Sequence, residues 1–245
     1  MSDELTPERI TSAWWPEDVR LSPDGQLVAW SASPYGKDGE HNVSGIWVAE
    51  VDGDASGRRW THGGADTRPR WSPDGSRLAF LSDRKERGTT GLFVLSVRGG
   101  EAEPIVVRKR SISAFAWSPD GESLAFVAPD EPDDEDKRRE QERDDADVYG
   151  HRRQFNRLHL VNLETREVST LLSQDLHVTD LAWSPGAGTM LAMSAQATPE
   201  TNDLLRVCVG GEYPERRSLQ GVRGAGCGGS RMDHRWSTSC LCRDP

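Results

Sequence analysis

Serine, aspartate and histidine come close together at one place, Gly228-Gly-Ser-Arg-Met-Asp-His234, and the chemistry they suggest is acyl transfer. A serine hydroxyl becomes a useful nucleophile when an imidazole takes its proton and a carboxylate orients that imidazole. Ser230, Asp233 and His234 fail that demand. They sit within five residues with no strands to separate them, and the Gly-x-Ser-x-Gly elbow that would project the hydroxyl occurs nowhere in the chain. Metal chemistry is no better served. A zinc site wants two close ligand pairs, whereas Cys240-x-Cys242 is the one close pair and Cys208 and Cys227 stand alone. His41, His62, His151, His159, His177 and His234 form neither His-x3-His nor His-Glu-x-x-His, and read as strand or loop residues. The acids from Asp133 to Asp147 lack the alternating oxygens and central glycine of a calcium loop. Gly99-Gly100 and Gly210-Gly211 precede no helix, as a phosphate loop must. No catalytic, cofactor-binding or metal-ligating residue is assigned.

What the residues do specify is a repeat. Leu21-Ser-Pro-Asp-Gly-Gln-Leu-Val-Ala-Trp30 returns as Trp71-Ser-Pro-Asp-Gly-Ser-Arg-Leu-Ala-Phe80 and Trp117-Ser-Pro-Asp-Gly-Glu-Ser-Leu-Ala-Phe126. It returns loosely as Trp183-Ser-Pro-Gly-Ala-Gly-Thr-Met-Leu-Ala192. The prolines at 23, 73, 119 and 185 lie 50, 46 and 66 residues apart, the period of a propeller blade with one insertion. In the phrase, proline presets φ at the first central turn position, aspartate suits the second, and glycine takes the left-handed position without a Cβ clash. Short apolar segments of strand length flank each turn. A third strand is predicted at Gly45 to Val51, Gly91 to Val97 and Arg157 to Leu163. A fourth, outer strand is predicted at about Arg58 to Thr61, Ala102 to Val107 and Val168 to Leu172. The fold class is all-β: an incomplete β-propeller of four-stranded antiparallel blades with an irregular C-terminal tail. The blades are expected at about 18–62, 68–107, 112–172 and 178–205, the last incomplete, with a charged insertion at 130–150. Middle strands apolar on both faces fit sheets sandwiched between neighbours. Trp71, Trp117 and Trp183, fixed before the turn, are accordingly expected to pack between blades.

Charge limits the partners. The chain carries a formal net charge of −10, which argues against nucleic acid, whose phosphates reward a basic face. Between Asp130 and Asp147, eleven acids meet four basic residues, a net of −7. Such a block reads as a solvated insertion, and Asp134/Arg138 and Glu135/Arg139 fit salt links along a short exposed helix. No run approaches the ~20 apolar residues of a membrane helix, and the acidic start from Met1 to Ile10 lacks the features of a secretory signal. A cytoplasmic, membrane-free protein is expected, and disulfides are not.

The phrase Trp-Ser-Pro-Asp-Gly followed by Leu-Ala-Phe resembles the repeats of TolB-like propellers and of the N-terminal propeller of prolyl oligopeptidase family serine peptidases. Pro69 to Arg84, then Leu92-Phe-Val-Leu95 and Gly99-Gly-Glu-Ala102, is similar to the acylaminoacyl peptidase branch. So is the acidic insertion Glu135 to Ala146 followed by Leu158-His-Leu-Val161. The resemblance spans roughly residues 5 to 205. It implies a parent enzyme that hydrolyses short or acylated peptides, in which a propeller gates access to an α/β-hydrolase domain. The chain then reads as a non-catalytic propeller fragment, with a separate hydrolase domain or another protein as its partner. The alternative is a standalone TolB-like interaction module. Three blades and part of a fourth would expose apolar end faces, so self-association through the end blades is expected.

After about Leu205 the text changes. All four cysteines, seven glycines, seven arginines and no lysine fall in the last forty residues, while the preceding residues hold nineteen arginines to four lysines. That arginine bias hints at a GC-rich gene. The segment 206–245 is accordingly expected to be a disordered tail produced by a frameshift near codon 205, a reading that resequencing the locus would test.

Overall fold

The computed structural model describes residues 6–7, 13–36, 43–53, 57–142, 154–171, 176–183, 191–196 and 204–209. Each Ser-Pro-Asp-Gly phrase makes the turn its chemistry predicts. The Ser72 hydroxyl accepts from the Arg77 N–H at 2.9 Å and donates to Asp74, and Asp74 accepts from the Ser76 N–H at 3.1 Å and the Ser76 hydroxyl at 2.6 Å. The Ser72 and Ser76 hydroxyls hold the Asp74 carboxyl down at about 2. Ser22/Asp24 and Ser118/Asp120 repeat the pattern, and Gly25, Gly75 and Gly121 have φ of 72°, 70° and 73°. The turns nest in a row, with Pro23 against Gly75 and Pro73 against Gly121.

Four antiparallel sheets follow in chain order. The first is β1 (Trp14–Leu21), β2 (Leu27–Pro34), β3 (Gly45–Glu50) and β4 (Arg58–Arg59). The second is β5 (Thr67–Trp71), β6 (Arg77–Glu86), β7 (Thr89–Ser96) and β8 (Glu103–Val106). The third is β9 (Ala114–Trp117), β10 (Ser123–Pro129), β11 (Asn156–Asn162) and β12 (Val168–Thr170), with a helix, α1 (Asp134–Glu142), between β10 and β11. The fourth has three described strands, β13 (His177–Trp183), β14 (Leu191–Gln196) and β15 (Leu204–Val209). Neighbouring strands in each sheet are neighbours in sequence, the simplest use of short turns.

Two expected boundaries move. The first sheet begins at Trp14, not near residue 18, because β1 is a sheet edge where Pro16 forfeits no ladder bond while opposing Ala32. The last strand runs past position 205 to Val209, pairing Arg206 to Val209 with Ser194 to Leu191. The alternating valines of Arg206-Val-Cys-Val209 suit a strand. The fourth turn at 184–190 lies outside the described residues, as do 210–245.

The core sits in three seams between successive sheets, and adjacent residues of one strand serve different seams. Leu78 and Phe80 of β6 join Ile46, Val48 and Trp71 in the first seam. Ala79 and Leu81 join Phe115, Trp117 and Phe126 in the second. Ala125 and Val127 of β10 meet Leu158, Val178 and Leu181 in the third. This is why the middle strands lack polar alternation. Each fully buried Phe or Leu contributes about 1.5–3 kcal/mol relative to exposure.

The charged insertion is tied down where it is described. Asp133 caps α1, its carboxylate accepting the Asp136 N–H at 2.7 Å, and Asp134, Glu135 and Asp136 occupy the first turn, where the helix dipole favours acids. Arg108 pairs with Glu131, Arg110 with Asp136 and Arg157 with Asp130, at 2.7, 2.8 and 3.1 Å. No helix among the described residues is long and apolar enough to cross a membrane.

Candidate functional site

The first strands of the sheets, β1, β5, β9 and β13, succeed one another in contact, and β5, β9 and β13 each pack on the sheet before. One device recurs along this column. The Trp71 indole N–H donates to the Arg20 carbonyl at 3.1 Å, Trp117 to the Arg70 carbonyl at 2.9 Å and Trp183 to the Ala116 carbonyl at 3.4 Å. The acceptor is in each case the residue just before the corresponding position in the preceding sheet. The tryptophans are therefore inter-sheet packing residues, as their position implied, with a directional hydrogen bond added. In β1 the position belongs to Leu21, which has no indole and is 62 % exposed.

The column also carries charge. β1 and β5 both bulge, between Glu17 and Arg20 and between Thr67 and Arg70, and each bulge holds a non-glycine residue in the left-handed region: Asp18 at φ 49° and Arg68 at 56°. Such backbone costs on the order of 1 kcal/mol or more per residue. The bulges bring Asp18 between two guanidinium groups, Arg20 of its own strand and Arg70 of the next sheet, both at 2.7 Å. Burial lowers Arg70's basicity, and the neighbouring charges of Arg20 and Arg68 add to that against the opposing pull of Asp18.

Two further polar groups are buried in the seams. Asp66, fully buried, receives Arg84 at 2.9 Å on one oxygen, while its other oxygen has no partner. Arg84 lies over the stacked rings of Phe80 and Phe93, 5.0 Å from each centroid. His159 stacks on Phe126 at 5.0 Å, its Nδ1 lies 3.1 Å from the Thr170 hydroxyl, and its Nε2 has no partner. Burial, reinforced by the Arg108 charge, pushes His159 down to about 4, so it is neutral at pH 7. Chemically these are structural groups. Among the described residues no carboxylate is hydrogen-bonded to His159, and Asp83 is occupied by the N–H groups of Ala65 and Gly88 at 2.7 and 3.1 Å.

Of the residues weighed from sequence, Ser230, Asp233, His234, Cys227, Cys240 and Cys242 lie outside the described residues, as do His41 and His151. Cys208 falls in β15. His159 and His177 are strand residues, and His177 accepts the Asn156 N–H at 3.2 Å. Among the described residues, no group of three or more His, Cys, Asp or Glu is placed to hold a metal ion. The bulged arginines escaped the sequence reading because no letter marks a bulge. The Asp18 and Arg68 positions, three residues before the repeat's Leu21 and Trp71, were its only trace.

The sequence pattern of the TolB beta propeller domain matches residues 17–147. The chain belongs to the TolB β-propeller domain family. This TolB-type chain is 33 % identical over 218 residues to the uncharacterized peptidase YuxL of Bacillus subtilis strain 168, an alignment covering 83 % of the chain and 33 % of that protein. It thus spans about a third of the curated relative's length. Its fold is similar to that of an acylaminoacyl peptidase from Pyrococcus horikoshii, with a TM-score of 0.59 at 16 % identity over 87 % of this chain and 33 % of that one. TolB from Acinetobacter baumannii gives 0.54 at 21 % identity over 78 % of this chain and 39 % of its own. The likeness to the N-terminal propeller of prolyl oligopeptidase family peptidases, expected from the repeats, is borne out.

Proposed function

We propose that this chain is the non-catalytic propeller part of a prolyl oligopeptidase family serine peptidase, a cytoplasmic enzyme of short or acylated peptides in which the propeller gates access to a hydrolase domain. The single observation that carries the reading is the 33 % identity to a protein named as a peptidase, of which the chain spans one third. The test is direct: the purified chain, incubated with acyl-peptide and aminoacyl chromogenic substrates, is expected to give no turnover above a blank. Turnover abolished by a serine-directed inhibitor overturns the proposal.

A second reading, a standalone interaction module, is favoured by the match to the TolB domain itself. A pull-down that returns one stoichiometric partner lacking a hydrolase fold selects this reading. Recovery of a separately encoded hydrolase domain selects the first.

A further inference from the structure

We propose that the acidic insertion is an arm fastened to the array by charge, docked at low ionic strength and released at high. Its helix, α1, reads Asp-Glu-Asp-Lys-Arg-Arg-Glu-Gln-Glu and contains no apolar residue. With no apolar side chain to bury, its position rests on polar contacts. These converge on one short basic segment, Arg108-Lys109-Arg110, in the connection between β8 and β9. Arg108 pairs with Glu131 at 2.7 Å and donates to the Pro129 carbonyl at 3.0 Å, and the Lys109 N–H donates to Glu131 at 3.3 Å. Arg110 reaches both sides of the insertion, Asp136 at 2.8 Å where the chain leaves β10 and Gln154 at 2.9 Å where it returns to β11. Arg157 of β11 adds Asp130 at 3.1 Å.

The two sides of this contact differ in firmness. The basic segment is built into the body: the Ile112 N–H donates to the Thr90 carbonyl at 2.9 Å, the Thr90 hydroxyl donates to the Ile112 carbonyl at 2.8 Å, and Ile112 is buried in the second seam. Arg108 and Arg110 are half-buried, and Arg108 lies over the Phe126 ring at 5.9 Å. The arm has no such anchor. Isolated helices shorter than ~12–15 residues are marginal in water, so the nine-residue α1 is helical while docked and unravels on leaving. Ion pairs near a surface are individually weak, but several act here together, from half-buried arginines, on a block of net charge −7. Salt undoes such a hold, because the screening length shrinks from ~10 Å at 0.1 M to ~3 Å at 1 M. Release leaves Arg108 and Arg110 without their carboxylates, so ionic strength sets whether the joint between the second and third sheets presents a neutralised or a basic surface. The inference goes beyond the peptidase reading and does not depend on it.

Hydrogen exchange of the full chain, read by mass spectrometry at about 0.05 M and about 1 M sodium chloride, tests the arm. The amides of Arg138 to Glu142 are expected to exchange roughly tenfold or more faster at high salt, while β10 and β11 keep their protection. Arg110→Gln removes a partner from the body and leaves α1 itself untouched. In that variant the α1 amides are expected to exchange fast already at low salt, with little further change at high. Three results overturn the proposal: α1 exchange equal at the two salt concentrations in the parent chain, α1 protection in Arg110→Gln as great as in the parent, or β10 and β11 losing protection in step with α1. The salt series on the parent chain needs no variant and decides alone where Arg110→Gln fails to fold.

Discussion

The indole N–H of Trp117 donates to the carbonyl of Arg70 at 2.9 Å, tying the third sheet to the second where Trp117 is buried and Arg70 half-buried. Trp71 and Trp183 repeat the contact on either side, so the bond belongs to the array and not to one site. Replacing Trp117 by Phe keeps most of the apolar area but removes the indole bond to the Arg70 carbonyl, which keeps its place opposite Ala79 in the ladder. A loss of about 0.5–1.5 kcal/mol is expected in urea unfolding. The same change at Trp183, whose bond is 3.4 Å long, is expected to cost less. Equal losses at the two positions would show that packing alone holds the seams.

His159 occupies, on the third strand of its sheet, the place that Trp47 and Phe93 hold in the two sheets before it, opposite Phe126 as they are opposite Trp30 and Phe80. Its pKa is lowered to about 4 in the fold against 6.5 when free, so the unfolded chain takes up the proton first. Stability is full above pH 6.5 and falls as pH drops towards 4, by about 3 kcal/mol once the group is protonated in both states. His159→Phe is expected to flatten this slope and to stabilise the protein at pH 5 more than at pH 8. Thermal melts across that range check it, and an unaltered slope in the variant assigns the pH dependence elsewhere.

Asp66 depends on Arg84. Arg84→Met leaves a fully buried carboxylate with no counter-ion, and a destabilisation of about 3–5 kcal/mol is expected. Changing both residues, Asp66→Asn with Arg84→Met, is expected to recover part of it. A double-mutant cycle without coupling would mean that the ring contacts of Arg84, not its charge, are what matter.

The outward face of β1 exposes Trp15 at 60 %, Val19 at 58 % and Leu21 at 62 %, where β5 and β9 have a preceding sheet to cover them. A second copy of the chain is expected to cover it. Sedimentation velocity should show association beyond the monomer, diminished by Leu21→Asp with Val19→Glu. A monomeric parent chain at the same concentration contradicts this expectation.

Much of the architecture was legible because the repeat writes its own turns. Ser72, Asp74 and Gly75 each have a mechanical task that few other residues perform, so three copies of the phrase specify three hairpins. The outer strands followed from spacing. Other features had no letter to betray them. The partners of Trp71 and Trp117 are backbone carbonyls, which every residue carries, and the bulges at Asp18 and Arg68 follow from how neighbouring sheets meet. Pro16 concealed the start of β1, since a proline reads as a stop until the strand is known to lie at an edge. His159 was readable in hindsight of alignment: placed against Trp47 and Phe93, it stands where a ring belongs.

The indole bonds all point backwards along the chain. Each tryptophan reaches a carbonyl made 47 to 67 residues earlier, so no sheet has to await a later one to anchor its own first strand. On the ribosome, where synthesis at ~5–20 residues per second leaves seconds between blades, every emerging hairpin meets a finished surface to fasten upon. Assembly in the order of translation is thereby built into the polarity of one side chain.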